Sequence, residues 1–149
     1  MRITIRKAQK SDCSRMLELI QELADYERAP EEVTINPRHF ADSGFGKNPV
    51  WWALVAEVDA KVVGFALYYI RFSTWKGQRL YLEDLIVTES MRGKGIGKRL
   101  FDGLINEGKE KKLDGMNWQV LEWNTPAKNF YMMYDAVLDP EWMNGSIDW

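Results

Sequence analysis

The sequence predicts an α+β fold built on three antiparallel strands that lead into a glycine loop and a helix. Two strand-like runs, residues 51–58 and 61–72, are joined by Asp59-Ala60, which is the length of a tight hairpin loop. A third run, residues 81–87, is rich in β-branched and aromatic residues. Three closely spaced glycines follow this run and precede a helical pattern. The chain therefore turns from an antiparallel sheet into a strand–loop–helix unit.

The first third of the chain alternates between strand and helix patterns. The predicted elements are a strand over residues 3–6, a helix over residues 11–28 and a short helix over residues 36–44. The short helix begins at Asn36-Pro37, because proline is favoured at a first helical position. Cys13 lies on the apolar face of the long helix, so we interpret it as a core residue rather than a nucleophile.

The central strand and the last third of the chain complete the predicted elements. Gly64 interrupts the apolar run of residues 61–72, which predicts a β-bulge or a close backbone approach. After the glycine loop, the predicted elements are a strand over residues 116–122, a helix over 124–134 and two short strands over 137–138 and 146–149. No linker or repeat divides the chain, so we predict one domain over residues 1–149.

The glycine loop Arg92-Gly93-Lys94-Gly95-Ile96-Gly97 is typical of a phosphate-binding site. Glycines let backbone N–H groups converge on an anion, and the helix that follows adds the positive end of its dipole. Arg92, Lys94 and Lys98 add positive charge. The spacing fits neither a Walker loop nor the dinucleotide fingerprint, because Gly97-Lys98 is followed by arginine and residue 98 is not glycine.

Composition excludes several classes of function. With 46% hydrophobic and 28% charged residues, the 149-residue chain resembles one soluble domain, and it has no membrane-length apolar run or signal-peptide core. A formal charge of −2 argues against nucleic acid as a partner and suits a cationic substrate. The only cysteine predicts no intrachain disulfide and a reducing cytoplasm. His39 is the only histidine, which argues against a zinc site or a Ser-His-Asp triad.

Two further patterns indicate chemistry. Glu83 and Asp84 are adjacent acids inside an otherwise apolar strand; they are either edge charges or functional groups, and the cost of burying them favours function. Asn124, Ala127 and Tyr131 recur at spacings of three and four, so they share one side of a helix.

The pattern Arg-x-x-Gly-x-Gly from Arg92 to Gly97, together with Asn-x-x-Ala-x-x-Phe-Tyr from Asn124 to Tyr131, resembles the GCN5-related N-acetyltransferase (GNAT) superfamily. Leu-Glu-Asp at residues 82–84 and Glu-Trp-Asn at residues 122–124 are similar to the spermidine/spermine and thialysine N-acetyltransferases, the diamine acetyltransferase family. The resemblance implies the GNAT acetyl-CoA-binding fold, with a mixed, mostly antiparallel central sheet flanked by about four helices. It also implies a homodimer.

The resemblance further implies which residues form the site. Acetyl-CoA, as the co-substrate and without a metal, would be held by residues of the third strand, the glycine loop and the last helix: Leu85, Ile86, Val87, Arg92, Gly93, Lys94, Gly95, Ile96, Gly97, Lys98, Asn124, Thr125, Pro126, Ala127 and Tyr131. The amine would be held by Tyr26, Glu27, Trp75, Glu83, Asp84, Asn117, Trp118 and Gln119. Tyr131 would protonate the leaving thiolate.

The mechanism follows from the side chains that are present. An alkylammonium must lose a proton before it can attack, and no histidine is suitably placed, so Glu83 acting through a water is the candidate base. Transfer would be direct, because the only thiol is predicted to be buried. We therefore expect acetyl transfer to a small aliphatic amine such as a diamine, a polyamine or a lysine-like amino acid. The alternatives are an α-amine or protein-lysine acetyltransferase of the same fold, and a non-catalytic CoA-binding module.

Three positions depart from the family pattern. Ser73 stands where the polyamine enzymes often have an acid, and Asn117 replaces a residue type used for substrate contact. Asp135 replaces the glycine that usually follows the tyrosine-bearing helix, so that helix end is expected to be built differently. Acetyl transfer is compatible with these differences, whereas a long polycation would be held less well.

Overall fold

A computed structural model describes residues 1–149, and five strands form one sheet in the order β1-β2-β3-β4-β5. The strands are β1 Ile3–Lys7, β2 Trp52–Val58, β3 Lys61–Ser73, β4 Gly77–Val87 and β5 Met116–Trp118. The helices are α1 Cys13–Tyr26, α2 Pro37–Phe45, α3 Ile96–Glu110 and α4 Thr125–Met132. The first four strands pair antiparallel and β5 pairs parallel to β4. The predicted α+β class, with a mixed and mostly antiparallel sheet, is confirmed.

The sheet is buried on both faces because residues alternate along its strands. Val55, Phe65 and Ile86 pack with Met16 and Leu19 of α1 in the core on one face. The residues that alternate with these along the strands pack against α3 on the other face of the sheet. Leu54, for example, lies 2.8 Å from the position that a Cβ on Gly103 would take. Cys13 is in the α1 core and only 6% exposed, which confirms its interpretation as a core residue.

Gly64 combines both features that were predicted for it. The β2–β3 register shifts between Ala56 and Glu57, which leaves Val63 as an extra residue beside Gly64. A Cβ on Gly64 would lie 2.7 Å from the carbonyl oxygen of Ile86. The absence of a side chain therefore lets β3 approach the end of β4 closely.

Three strand predictions for the last third of the chain were wrong. The strand predicted over residues 116–122 ends at Trp118, and residues 137–138 and 146–149 form no strand. Local β-propensity does not make a strand without a partner for its peptide groups, and β5 pairs with β4 only over Leu80–Leu82. Val137 and Trp149 are fully solvent-exposed. Helix α4 ends at Met132, two residues earlier than predicted.

The chain divides into two compact units, residues 1–118 and 119–149. The first contains the sheet and α1 to α3, and the second contains α4 and the irregular C-terminal segment. In the second unit Asp135, which follows α4, has a φ of +56°, in the left-handed region that favours glycine. Aspartate tolerates this conformation better than most residues, so the chain turns after α4 without a glycine. No helix in the structure combines the length and apolar character needed to cross a membrane.

Candidate active site

Strand β4 leaves one of its edges unpaired over its last five residues. It pairs with β3 up to Val87, but with β5 only over Leu80–Leu82. From Glu83 onwards, no strand lies on the β5 side. Peptide groups on such an edge are able to bond to an extended ligand as an added strand would. One of them already has a partner, because the Val87 carbonyl accepts a bond from Arg92 Nε at 2.9 Å.

A β-bulge in β4 sets the directions of the two acids. Leu67 of β3 pairs with Asp84 and Tyr68 pairs with Leu82, so Glu83 is the extra residue. A bulge locally breaks the strict alternation of side chains. As a result Glu83 is exposed and Asp84 is partly buried, next to the unpaired edge of the strand.

A third carboxylate joins this pair from the end of α1. Burial, and then the negative charges of Glu83 and Glu27, raise the pKa of Asp84 from 3.8 to about 7. Burial also raises the pKa of Glu27. Three acids that repel one another form a strongly negative site that favours a bound cation. They are not arranged to hold a metal ion.

The Glu83 carboxylate has one side-chain partner that the sequence analysis did not identify. The Tyr69 hydroxyl donates to Glu83 Oε1 at 3.2 Å, and its ring stacks on Tyr81 with the centroids 5.1 Å apart. Burial and the charge of Glu83 raise the pKa of Tyr69 to about 12, so this hydroxyl stays protonated as a donor. The hairpin register could have pointed to Tyr69, since it lies opposite Tyr81.

Trp75 and Asn117 were also predicted to bind the amine, but the structure gives them other surroundings. Trp75 is 84% exposed in the β3–β4 turn, about 20 Å along the strand from Glu83 at the usual rise per residue. Ser73 Oγ accepts the N–H groups of Trp75 and Lys76, which closes that turn. Asn117 accepts a bond from Arg79 Nε at 3.1 Å. The structure therefore brings together Glu27, Glu83 and Asp84, but not Trp75.

Trp118 and Gln119, which were also predicted to bind the amine, lie at the end of β5 and just beyond it. Trp118 packs edge-on against Phe101 of α3, with ring centroids 5.6 Å apart. Gln119, in the C-terminal unit, donates from Nε2 to Asn144 Oδ1 at 2.6 Å. Neither contact involves the acids of β4.

The glycine loop joins β4 to α3 with the geometry of an anion site. Gly93 and Gly95 have φ values of +75° and +80°, and Gly95 is the N-cap of α3 without a side-chain cap. The first N–H groups of the helix are therefore available to a ligand. Lys94 is exposed, whereas Lys98 bonds to Asp102 at 2.7 Å. Ile96 is 1% exposed and anchors the loop in the core.

In the C-terminal unit, Asn124 and Tyr131 lie at the two ends of α4. Asn124 is buried, and its Oδ1 accepts the Ala127 N–H at 3.3 Å as the N-cap of the helix. Thr125 and Pro126 form the first helical positions. Tyr131 is 8% exposed, and Phe130 packs edge-on against it. The cap fixes where α4 begins, and Tyr131 lies near the end of the same helix.

The model of the Acetyltransferase (GNAT) family matches residues 6–133. The chain belongs to the GNAT acetyltransferase family. The match covers both the carboxylate-bearing strand and the segment with Asn124 and Tyr131. It confirms the membership that was expected from the two sequence motifs.

Individual relatives of this GNAT acetyltransferase agree with the family assignment. It is 37% identical to a thialysine N-epsilon-acetyltransferase of Bos taurus over 142 residues, 90% of this chain and 84% of the relative. It is 35% identical to spermidine/spermine N(1)-acetyltransferase-like protein 1 of Homo sapiens, over 89% of this chain and 20% of that protein. Among solved structures, an integron cassette protein from the mobile metagenome of V. cholerae matches with a TM-score of 0.78 at 26% identity, covering 99% of this chain and 93% of that one.

These matches show that this GNAT protein is an N-acetyltransferase, an enzyme that transfers an acetyl group to an amine. They speak against the alternative of a non-catalytic CoA-binding module. The family uses acetyl-CoA, and the unpaired edge of β4 and the open glycine loop fit such a co-substrate.

Proposed function

We propose that this enzyme acetylates the primary amine of a small aliphatic substrate, such as a diamine, a polyamine or a thialysine- or lysine-like amino acid. The observation that carries the proposal is the cluster of Glu27, Glu83 and Asp84 at the unpaired end of β4. Three acids around one bulge suit a compact ammonium group. The names of the relatives support the same class, because they include thialysine and spermidine/spermine acetyltransferases.

Acetyl-CoA would be held by backbone groups of two segments and by the last helix. The peptide groups of Leu85 to Val87 would bond to the pantetheine arm, and the amides of residues 93–98 would hold the pyrophosphate. Residues 124–127 would contact CoA from the start of α4. Arg92 is already engaged at the Val87 carbonyl, so we assign its side chain to the loop rather than to the phosphates.

The Gly95→Ala variant is expected to bind CoA about tenfold more weakly and to keep its fold. A Cβ on Gly95 would have nothing within 4 Å, so the φ of +80° alone disfavours alanine. The left-handed conformation costs roughly 1–2 kcal/mol for a residue with a Cβ. Titration calorimetry with CoA measures the change. Gly97→Ala is the matched control, because its Cβ would meet only Val87 at 3.8 Å; equal affinities for CoA in the two variants would contradict the loop assignment.

We assign the removal of the amine proton to the Glu83–Asp84 pair. An alkylammonium with a pKa near 10.4 is almost fully protonated at neutral pH, so attack requires a base. Glu83 is the exposed member and is held by Tyr69, so it would take the proton through a water. The raised pKa of Asp84 suits an acid that shares this proton.

The transfer itself balances with one base and one acid. The amine nitrogen bonds to the acetyl carbonyl carbon as the carbon–sulfur bond breaks. The ammonium first gives one proton through Glu83 to solvent, and the nitrogen loses a second proton by the same route as the amide forms. The Tyr131 hydroxyl gives its proton to the departing sulfur and regains one from solvent. A backbone N–H in the Leu85–Val87 segment would stabilise the negative charge that develops on the carbonyl oxygen. Cys13 takes no part, because it is buried and burial raises the pKa of its thiol.

A substrate panel tests the proposal against its closest alternative. Initial rates with acetyl-CoA are compared for putrescine, spermidine, thialysine, lysine and a histone-tail peptide. Side-chain or terminal amines of the small substrates are expected to be acetylated fastest, and mass spectrometry identifies the modified nitrogen. Transfer only to the peptide, or only to α-amines, would replace the proposed substrate class with the alternative.

We extend the proposal to the organisation of the protein in three respects. The family match runs through both compact units, which supports one catalytic domain over residues 1–149. The homodimer and the cytoplasmic location stay predictions from the resemblance and from the single cysteine. Sedimentation of the purified protein tests whether it is a homodimer.

A further inference from the structure

Glu22, on α1, holds the segment that leads from β4 into the glycine loop. Its carboxylate accepts the Thr88 hydroxyl at 2.9 Å and the Glu89 backbone N–H at 2.9 Å. The second bond caps the short 3₁₀ turn Glu89–Met91 that precedes the loop. Hydrogen bonds that involve a charged group are stronger than those between neutral groups. One side chain of α1 therefore fixes the start of the phosphate-binding loop.

Arg92, the first residue of the loop, points back to the same helix. Its guanidinium lies 3.9 Å from Glu22 Oε1 and 5.2 Å from the centre of the Tyr26 ring, while its Nε bonds to the Val87 carbonyl. Glu22 and Tyr26 are four residues apart, so they lie on one side of α1. Arg92 thus connects the end of β4, the loop and the last turn of α1.

The last turn of α1 also carries the amine side of the site. Glu27, the residue that follows Tyr26, contributes to the raised pKa of Asp84. Glu27 is the C-cap of α1, and its N–H donates to the Leu23 carbonyl at 2.8 Å, so the contacts that fix Glu22 and Tyr26 also fix Glu27. The loop for the co-substrate and the acid for the amine are consequently tied to the same rigid segment.

We propose that Glu22 is a positioning residue that, through Arg92, couples the glycine loop to the last turn of α1, so that CoA bound at the loop orders the amine-binding end of that helix. The inference rests on the proposed function, because it needs CoA at the loop and the amine near Glu27. By linkage, the amine would strengthen CoA binding by the same factor. If Glu22 acted only as a structural cap, its loss would lower stability without affecting this coupling.

Hydrogen exchange with and without CoA tests the coupling, and it does not require the amine to be known. In the wild-type protein, saturating CoA is expected to slow exchange of the amides at residues 22–28 about fivefold or more, together with those of the loop. In Glu22→Gln, CoA is expected to protect the loop but not residues 22–28. Thr88→Val removes one hydrogen-bond donor to Glu22 and keeps every charge, so CoA is expected to protect residues 22–28 to an intermediate degree. This variant tests the coupling if Glu22→Gln does not fold.

Glu18→Gln is the matched control, since Glu18 lies on the same helix and pairs only with Arg15 within it. It is expected to behave as the wild type. Protection of residues 22–28 by CoA in both Glu22→Gln and Thr88→Val, or no protection of them in the wild type, would overturn the coupling. If the wild type binds CoA and acetylates amines in that case, the proposed function stands. If it does not bind CoA, both fail.

Discussion

Tyr131→Phe is expected to lower kcat by about 100- to 1,000-fold while CoA binds with unchanged affinity. The substitution keeps the ring of this buried residue and removes only the proton donor. General acid catalysis typically contributes 10²- to 10⁴-fold, and water is able to replace part of it. Release of free thiol measures kcat, and titration calorimetry measures the affinity for CoA. A fall in kcat without a change in affinity would identify a group that acts only on the reacting atoms.

Tyr134→Phe provides the control for this effect. Tyr134 follows α4, and its ring lies 5.7 Å from that of Phe130, so the variant removes another hydroxyl from the same part of the chain. Its kcat is expected to stay within about twofold of the wild type. Unaltered activity of Tyr131→Phe across the pH range would remove Tyr131 as the acid and leave that role to water or another group.

Asp84→Asn is expected to lower kcat/KM for the amine about 100-fold and to abolish its rise with pH near 7. In the wild type, kcat/KM should increase as Asp84 ionises, because its pKa is raised to about 7. Asparagine carries no negative charge at any pH. Losing one partner of a buried charge interaction commonly costs several kcal/mol. Rates at low amine concentration between pH 5.5 and 9 measure both effects.

The same substitution should stabilise the protein at high pH. The pKa of Asp84 in the folded chain lies above its ordinary value of 3.8, so the folded state binds more protons than the unfolded state between about pH 4 and 7. The free energy of unfolding therefore decreases as pH rises through this window. Asp84→Asn removes that loss, and we expect its Tm to exceed the wild-type Tm by several degrees at pH 8 but not at pH 4.

Asp114→Asn is the control for the stability effect. Asp114 is exposed and pairs with Arg79 on the surface, where such a pair contributes little. Its Tm is expected to follow the wild-type pH dependence with a small constant offset. A Tm difference between Asp84→Asn and the wild type that is the same at pH 4 and pH 8 would contradict the raised pKa of Asp84.

The features that the sequence predicted correctly depend on interactions between near neighbours in the chain. The glycine loop and α3 follow from Gly93, Gly95 and the spacing of Ile96 and Leu100, all of which act within one or two turns. The hairpin at Asp59-Ala60 and the proline-initiated start of α2 are equally local. The sequence also indicated the two acids of β4, because charged residues are unfavourable inside an apolar strand.

Only the tertiary structure shows which other groups surround those acids. Glu27 is more than fifty residues from Glu83 along the chain, and no local pattern predicts that the end of α1 meets the bulge in β4. The bulge itself arises from the register between β3 and β4, and the early end of β5 from the lack of a partner after Leu82. Arg92 was predicted to serve the phosphates, and its contact with Glu22 depends on how α1 packs beside the loop. Local sequence sets backbone conformation, whereas charge proximity and strand pairing depend on segments that meet only in the folded chain.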